Sequence, residues 1–231
     1  MIFNLIIPFA RYNEGTKVFQ VVESMIRKWD EFLAPYKQAV DELKIKLRGI
    51  RTQYDLDKEH SPIEFVTGRV KPIASILDKA YHKQIPEERL EQEVQDIAGL
   101  RIMCQFVDDI KQVVSLLRQR TDFVIVEERD YITNKKASGY RSYHVVIEYP
   151  VQTIYGEKKI LAEIQIRTLA MNFWATIEHS LNYKYNGQFP ETLRNRLERL
   201  AEAAFHMDEE MTQIKMEIQE AQRYVFKKRG K

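Results

Sequence analysis

The sequence predicts an α+β fold: a mixed, partly antiparallel sheet flanked by helices, with one long helix near each end of the chain. Two segments repeat apolar residues at four-three spacing. The first runs through Trp29, Leu33, Tyr36, Val40, Leu43, Leu47, Ile50 and Tyr54. The second runs through Leu193, Leu197, Leu200, Ala204, Met207, Met211, Ile214, Ile218, Ala221 and Val225. That period lays a narrow apolar seam along a long helix. Between them, stretches of period two alternate with helical spacing, as expected for strands and helices packed in layers. The sharpest alternation is Glu163-Ile-Gln-Ile-Arg167. It places Glu163, Gln165 and Arg167 on one strand face and Ala162, Ile164 and Ile166 on the other.

Taken in order, residues 1–28 stand outside the pattern. They read as an N-terminal extension upstream of a natural start at Met25, because the Trp29 seam opens almost at once. Pro72 is placed to open a short helix. Gly99 to Val107 is strand-like, and Asp108 to Arg120 has helical spacing through Ile110, Val113, Val114 and Leu117. Asp122 to Glu127 alternates as a strand. Ser142 to Tyr149 and Lys159 to Arg167 form two more, joined through a hairpin-type turn at Tyr155-Gly156-Glu157. Thr168 to Tyr185 is helical, with Phe173, Trp174, Ile177 and Leu181 on one side. The second seam follows, and residues 226–231 form a basic tail. Residues 29–225 thus read as a single domain whose terminal helices suit packing between subunits as well as within one.

Composition narrows the function classes. A chain of 231 residues, 44% hydrophobic and 30% charged, is that of a globular protein. Its 36 basic and 34 acidic residues give a net charge of +2, so bulk charge does not announce a nucleic-acid binder. Cys104 is the single cysteine, set in an apolar run, and reads as a buried thiol in a reducing compartment. The apolar start, Met1 to Ala10, is too short for a membrane span and lacks the basic flank of a secretory signal. The expected location is cytoplasmic. There is no glycine-rich dinucleotide fingerprint, no Walker loop, no zinc-type Cys/His cluster and no Gly-x-Ser-x-Gly elbow.

Several polar clusters remain. Lys71, Ser75 and Lys79 recur every four residues where the Pro72 helix starts, a place that attracts phosphate; a solvated face is an equal reading. Asp96 precedes a small-residue turn into a strand, where it serves either a metal or its own backbone. Arg129, Lys135, Lys136, Gly139, Tyr140 and His144 combine cations, a glycine that permits close approach and an aromatic face for stacking. Asp96 and Glu163 together are what Mg²⁺ needs when it also holds substrate phosphates. Lys44, Arg48 and Arg51 form a stripe on the first helix with no interspersed acid, fit for an anion at a subunit boundary.

Four segments resemble a known family. They are His60-Ser-Pro-Ile-Glu-Phe-Val-Thr-Gly-Arg-Val-Lys71, Gln95-Asp-Ile-Ala-Gly-Leu-Arg101, Ala137-Ser-Gly-Tyr-Arg-Ser-Tyr-His144 and Glu163-Ile-Gln-Ile-Arg-Thr-Leu-Ala-Met-Asn-Phe-Trp-Ala175. They closely resemble the small alarmone synthetases of the RelQ type, over roughly Trp29 to Val225. The resemblance implies a nucleotidyltransferase-like synthetase fold and a homotetramer. It also implies an enzyme of the stringent response that moves the β,γ-pyrophosphate of ATP to the 3′-hydroxyl of GTP or GDP. Arg69 and Arg101 would hold the adenine, with Lys71, Ser75 and Lys79 along the ATP phosphates. Asp96 and Glu163 would hold Mg²⁺, Glu163 also drawing the 3′-hydroxyl proton. Tyr140 would stack on guanine, while Arg129, Lys136 and His144 would serve the acceptor's phosphates and its loop. Gln165 and Arg167 would support from behind.

The same resemblance implies pppGpp binding between subunits at Lys44, Arg48, Arg51, Glu64, Phe65, Thr67 and Asn172. It implies single-stranded RNA as a further partner, at the same cations. Tyr81 and His82 stand where relatives often carry arginines. No His-Asp dipeptide occurs, so synthesis without hydrolysis is expected. The alternative is a non-catalytic, RNA-binding regulatory protein with the same fold, against which the Asp96–Glu163 pair argues.

Overall fold

A computed structural model describes residues 15–185 and 190–229. The first seam lies in α1, Gly15–Asp57. Leu33, Tyr36, Val40, Leu43 and Leu47 are each no more than 6% exposed along it, as the spacing requires. Pro35 lies inside this helix, where it removes one backbone bond. The helix is continuous across residues 28 and 29, so the expected extension shares an element with the domain. Residues 1–14 and the last two of the basic tail fall outside the described residues, and no side chain is described for Val225.

The remaining elements follow in order. They are β1 (Phe65–Val70), α2 (Ile73–Lys83), a short helical turn with α3 (Leu90–Glu93), β2 (Ala98–Cys104) and α4 (Val107–Arg118). Then come β3 (Val124–Asp130), β4 (Tyr143–Thr153), β5 (Gly156–Thr168), α5 (Leu169–Lys184) and α6 (Glu191–Arg229). Five strands make one sheet in the order β1-β2-β5-β4-β3. β2 and β5 run parallel, and the other neighbours are antiparallel. This is the mixed, partly antiparallel sheet that the sequence predicts. β4 and β5 pair without interruption from Tyr143↔Ile166 to Thr153↔Gly156. The hairpin therefore turns one or two residues earlier than expected, at Ile154-Tyr155.

One sheet face is apolar. Val66, Leu100, Ile102, Val145, Ile147, Ala162, Ile164 and Ile166 join residues of α1 and α4 in the main core. Cys104 is in that core, and burial pushes its thiol well up, so it is an inert structural group. α1 comes closest at β1, where a Cβ on Gly68 would lie 2.8 Å from Val40 Cγ1. β1 itself escapes the periodicity reading. It is a six-residue edge strand carrying Gly68, and its outward residues Thr67 and Arg69 belong to the polar face.

On the two C-terminal helices most of the apolar spacing marks the outward side, which the sequence left open to packing between subunits. On α5, Trp174 is buried while Phe173, Ile177 and Leu181 are 69%, 44% and 45% exposed. On α6, Leu200, Met207, Met211, Ile214 and Ile218 are all more than 40% exposed. The stripe that docks on the rest of the chain is Ala201, Phe205, Asp208, Thr212 and Lys215. Its attachments are specific: Asp208 accepts a 2.5 Å bond from Thr168, and Thr212 accepts one from the Val107 amide at 3.4 Å. Lys215 reaches Asp108 and the buried Asp109.

Candidate active site

The second sheet face is polar, and strand register organises it into rows. Residues paired across neighbouring strands point to the same side. One row crosses all five strands as Thr67, Arg101, Gln165, His144 and Arg129. The next is Arg69, Gly99, Glu163, Val146 and Glu127. The alternation of β5 thus places Glu163 and Gln165 at the middle of a polar field.

Glu163 is 8% exposed and is the sink of that field. Its Oε1 lies 3.0 Å from His144 Nδ1, and its Oε2 accepts from Gln165 Nε2 at 2.8 Å. The other nitrogen of His144 lies 2.8 Å from the Tyr140 hydroxyl. That hydroxyl accepts from Arg167 Nη2 at 2.6 Å, and Arg167 Nη2 also donates to Gln165 Oε1 at 2.8 Å. Five side chains therefore close a ring. With the His144 proton on Nδ1, the assignment the network favours, both arms of donors run from Arg167 and end on the Glu163 carboxylate. Burial raises the pKa of Glu163, but His144 and Gln165 outweigh it and hold the carboxyl below its usual range. Glu163 is ionised at neutral pH.

Asp96, just before β2, is the second carboxylate of the site. Lys71 Nζ lies 2.8 Å from its Oδ2, and Lys79 Nζ lies 2.6 Å from its Oδ1. Burial raises this carboxyl too, and the two lysines more than reverse the effect. Lys71 follows the end of β1 and Lys79, eight residues on, sits on α2, and both converge on one anion. Ser75 is exposed in the first turn of α2.

An open cleft of about 440 Å³ is lined by Thr67, Arg69, Asp96, Arg101, Glu163 and Gln165, with Gly68, Gly99 and Leu100. Arg69 and Arg101, expected to flank a base, face it together. Burial pulls the Arg101 guanidinium down, and Arg167 and Arg69 add to the effect. Among the described residues no group of three or more His, Cys, Asp or Glu could hold a metal. Asp96 and Glu163, both ionised and lining one cleft, are the carboxylates that could offer oxygens to a hard cation.

On the far side of Glu163, the loop between β3 and β4 carries Tyr140. Lys136 Nζ stands 4.6 Å over the Tyr131 ring and 5.0 Å over that of Tyr140. Gly139 has φ +86°, a conformation that favours glycine. Arg129 and His144 are placed differently from free phosphate donors. Arg129 is bound to Glu127 and to Gln95 Oε1, each at 2.5 Å, with Nη1 3.8 Å from Glu163. His144 is 7% exposed, bridging Tyr140 and Glu163. Gln165, expected behind the site, lines the cleft itself. Sequence reasoning missed Gln95 and Glu127; only the alternation of Glu127 with Arg129 on β3 could have pointed to the second.

The expected regulatory residues fall on two sides of the β1 edge. Arg48 Nη2 donates to the Val66 carbonyl at 3.2 Å, and Arg51 Nη1 lies 3.7 Å from Glu64 Oε1. No acid interrupts the stripe, but one flanks each end: Asp41 lies 3.2 Å from Lys44, and Asp55 lies 3.9 Å from Arg51. Helical spacing of three and four explains both pairs. Phe65 and Thr67 lie on the polar face instead, Phe65 43% exposed. Asn172 lies on α5, and its Oδ1 is buried without a hydrogen-bond partner.

Fold and site together define a nucleotidyltransferase-like protein: two carboxylates at the polar face of a mixed sheet, ringed by lysines and arginines. A family model described as "Region found in RelA / SpoT proteins" matches residues 68–188. The chain is 63% identical over 205 residues to GTP pyrophosphokinase YjbM of Bacillus subtilis, covering 88% of this chain and 97% of that protein. Small alarmone synthetase 1 from B. subtilis, solved bound to its product pppGpp, superposes with a TM-score of 0.81 at 64% identity. That match covers 84% of this chain and 99% of the other. The same synthetase bound to AMPCPP gives 0.75 at 60% identity, with the same coverage. The chain belongs to the RelA/SpoT family and, within it, to the RelQ-type small alarmone synthetases.

Proposed function

We propose that the protein is a GTP pyrophosphokinase that transfers the β,γ-pyrophosphate of ATP to the 3′-hydroxyl of GTP or GDP, making the alarmones pppGpp and ppGpp. The observation that carries this reading is the convergence of the hydrogen-bonded ring on an ionised, buried Glu163 that shares a cleft with Asp96. In this reading Arg69 and Arg101 hold the adenine of ATP, and Lys71, Ser75 and Lys79 follow its phosphates. Tyr140 takes the guanine of the acceptor, with Lys136 nearest its phosphates. His144 and Arg129 act mainly by fixing Tyr140 and Glu163. As the 3′-oxygen bonds to the β-phosphorus, the bridge to the α-phosphate breaks, AMP leaves, and Glu163 receives the hydroxyl proton. Mg²⁺ held by Asp96 and Glu163 would neutralise charge on the phosphates. Positioning two polyanions in line supplies most of such acceleration.

The reading extends beyond the cleft. The exposed apolar faces of α5 and α6 support a homotetramer built through terminal helices. The Lys44, Arg48 and Arg51 stripe, with Glu64, Phe65, Thr67 and Asn172, would take pppGpp as an allosteric ligand, and single-stranded RNA would compete there. No helix among the described residues is long and apolar enough to cross a membrane. The protein would act in the cytoplasm, as a synthetase without hydrolase activity. The comparisons lend no support to the non-catalytic alternative.

The test is incubation with Mg²⁺, labelled ATP and GDP, with the products resolved. Wild-type protein makes ppGpp, and Glu163→Gln loses ~10²-fold or more of the rate, the lower range for a general base. Near-normal product from Glu163→Gln would remove the assigned role.

A further inference from the structure

We propose that Glu202, on α6, is a positioning residue for the acceptor nucleotide, acting through the loop that carries Lys136 and Tyr140. The proposal rests on the acceptor role given to that loop above. Tyr131 to Ser142 leaves the sheet between β3 and β4 and is closed at its base by the Tyr131 amide on the Ser142 carbonyl, 3.0 Å. Its tip is tightened by Lys136 N to Tyr140 O at 3.2 Å and Gly139 N to Lys136 O at 2.8 Å. These bonds shape the loop, and the Tyr140 hydroxyl ties its tip to His144 and Arg167 on the sheet. α6 braces the segments on either side of that tip.

One carboxylate grips the loop at two points. Glu202 Oε1 bonds Lys135, on the way in, and Oε2 accepts from Arg141 Nη2 at 2.9 Å, on the way out. Tyr140 and Lys136 lie between those two points. The Arg141 guanidinium is 7% exposed and rests 4.1 Å over the Phe205 ring, one turn along α6. Between these contacts the backbone of Gly139 comes so close that a Cβ there would lie 2.6 Å from Ala201 Cβ. The two cations also hold the Glu202 carboxyl below its usual range.

The grip is separable from the rest of the molecule. α6 is fastened elsewhere by Asp208 to Thr168, by Lys215 to Asp109, and by the Trp174 indole on the Leu197 carbonyl at 2.9 Å. Removing Glu202 therefore releases Lys135 and Arg141 from α6 while the helix stays docked and Tyr140 keeps its bonds to the sheet. Arg69 stands on β1, Lys71 just after it, Lys79 on α2 and Asp96 just before β2, away from this loop. A residue that acts only through the loop must move the acceptor KM and leave the ATP KM in place. General destabilisation would move both.

The experiment is steady-state kinetics with ATP and GDP varied separately in wild type, Glu202→Ala and Glu202→Asp. Loss of a doubly charge-assisted contact raises the GDP KM about tenfold in Glu202→Ala, with the ATP KM within about twofold of wild type. Glu202→Asp, which keeps the charge, recovers part of the GDP KM. An unchanged GDP KM, or a parallel rise in both constants, overturns the proposal. Should Glu202→Ala fail to fold, Glu202→Gln keeps the shape without the charge and is read by the same split. Wild-type protein that makes no product from ATP and GDP would instead remove the functional reading itself.

Discussion

Asp208 is a carboxylate that folding makes harder to ionise. It is 5% exposed, and burial lifts its pKa from 3.8 to about 6, with the Thr168 hydroxyl only partly opposing. A raised carboxyl means that the folded state binds the proton more tightly than the unfolded one. Its favourable contribution is complete below about pH 4 and fades as pH rises through 6. Asp208→Asn keeps an oxygen for Thr168 and does not titrate. Calorimetry at a series of pH values should find the variant close to wild type at pH 4 and more thermostable at pH 7.5. A difference in Tm that stays flat across the range would show that Asp208 is not the titrating group. Asp208 and Glu202 were both illegible in the sequence, since acids on a charged helix read as a solvated face until their partners, Thr168 and the Lys135–Arg141 loop, are brought against them. Glu163 was legible because strand alternation fixes a side chain's face without knowledge of the fold. Its neighbour Gln165 was placed too far out, since it lines the cleft, whereas Arg167 stands behind it on Gln165 and Tyr140; alternation assigns a face but not the hydrogen bonds across it.

At the level of elements, the same limit separates what was read from what was missed. β2, β4 and β5 announce themselves through runs of Val, Ile and Leu buried on the α1–α4 side, and β3 through its alternation alone, with Val124 and Val126 59% and 49% exposed. β1 has no such run, because an edge strand pressed against a helix needs a small residue where the two backbones approach. Gly68 fills that place. Gly68→Ala would set a Cβ 2.8 Å from Val40 Cγ1, a branched side chain on α1 with little room to yield. Overpacking of this kind costs about 1–3 kcal/mol. Urea denaturation should show a lower midpoint with an unchanged slope, and an unchanged midpoint would mean that α1 can move away freely. On α6 the period was read correctly, and its orientation was left open between packing within the chain and packing between subunits. Hydrophobic spacing says which residues share a side; it does not say which side meets the chain's own domain. The inward stripe is held by an acid, a hydroxyl and an ammonium with individual partners, a pattern that no apolar count reveals.

For the whole molecule, the outward seam of α6 and the divided regulatory set bear on one question. Phe173 and Ile177 on α5, with Leu200, Met207, Met211 and Ile214 on α6, leave a large apolar area exposed on a single chain. Exposed apolar patches beyond a few hundred Å² mark contact sites, and the proposed tetramer would cover this one. Lys44, Arg48 and Arg51 stand on one side of the β1 edge, and Phe65 and Thr67 on the other. A pppGpp ligand meeting all of them would sit across an unpaired sheet edge, where a second subunit can close over it. Assembly and activation should then fail together. Met207→Glu with Met211→Glu places two charges on the outward seam, in positions 53% and 52% exposed and away from the cleft. Light scattering should report a single chain for this variant. Its synthesis from ATP and GDP should persist at the basal rate, and added pppGpp should no longer raise it as it does in wild type. Full activation in a protein shown to be a single chain would place the regulatory site within one subunit.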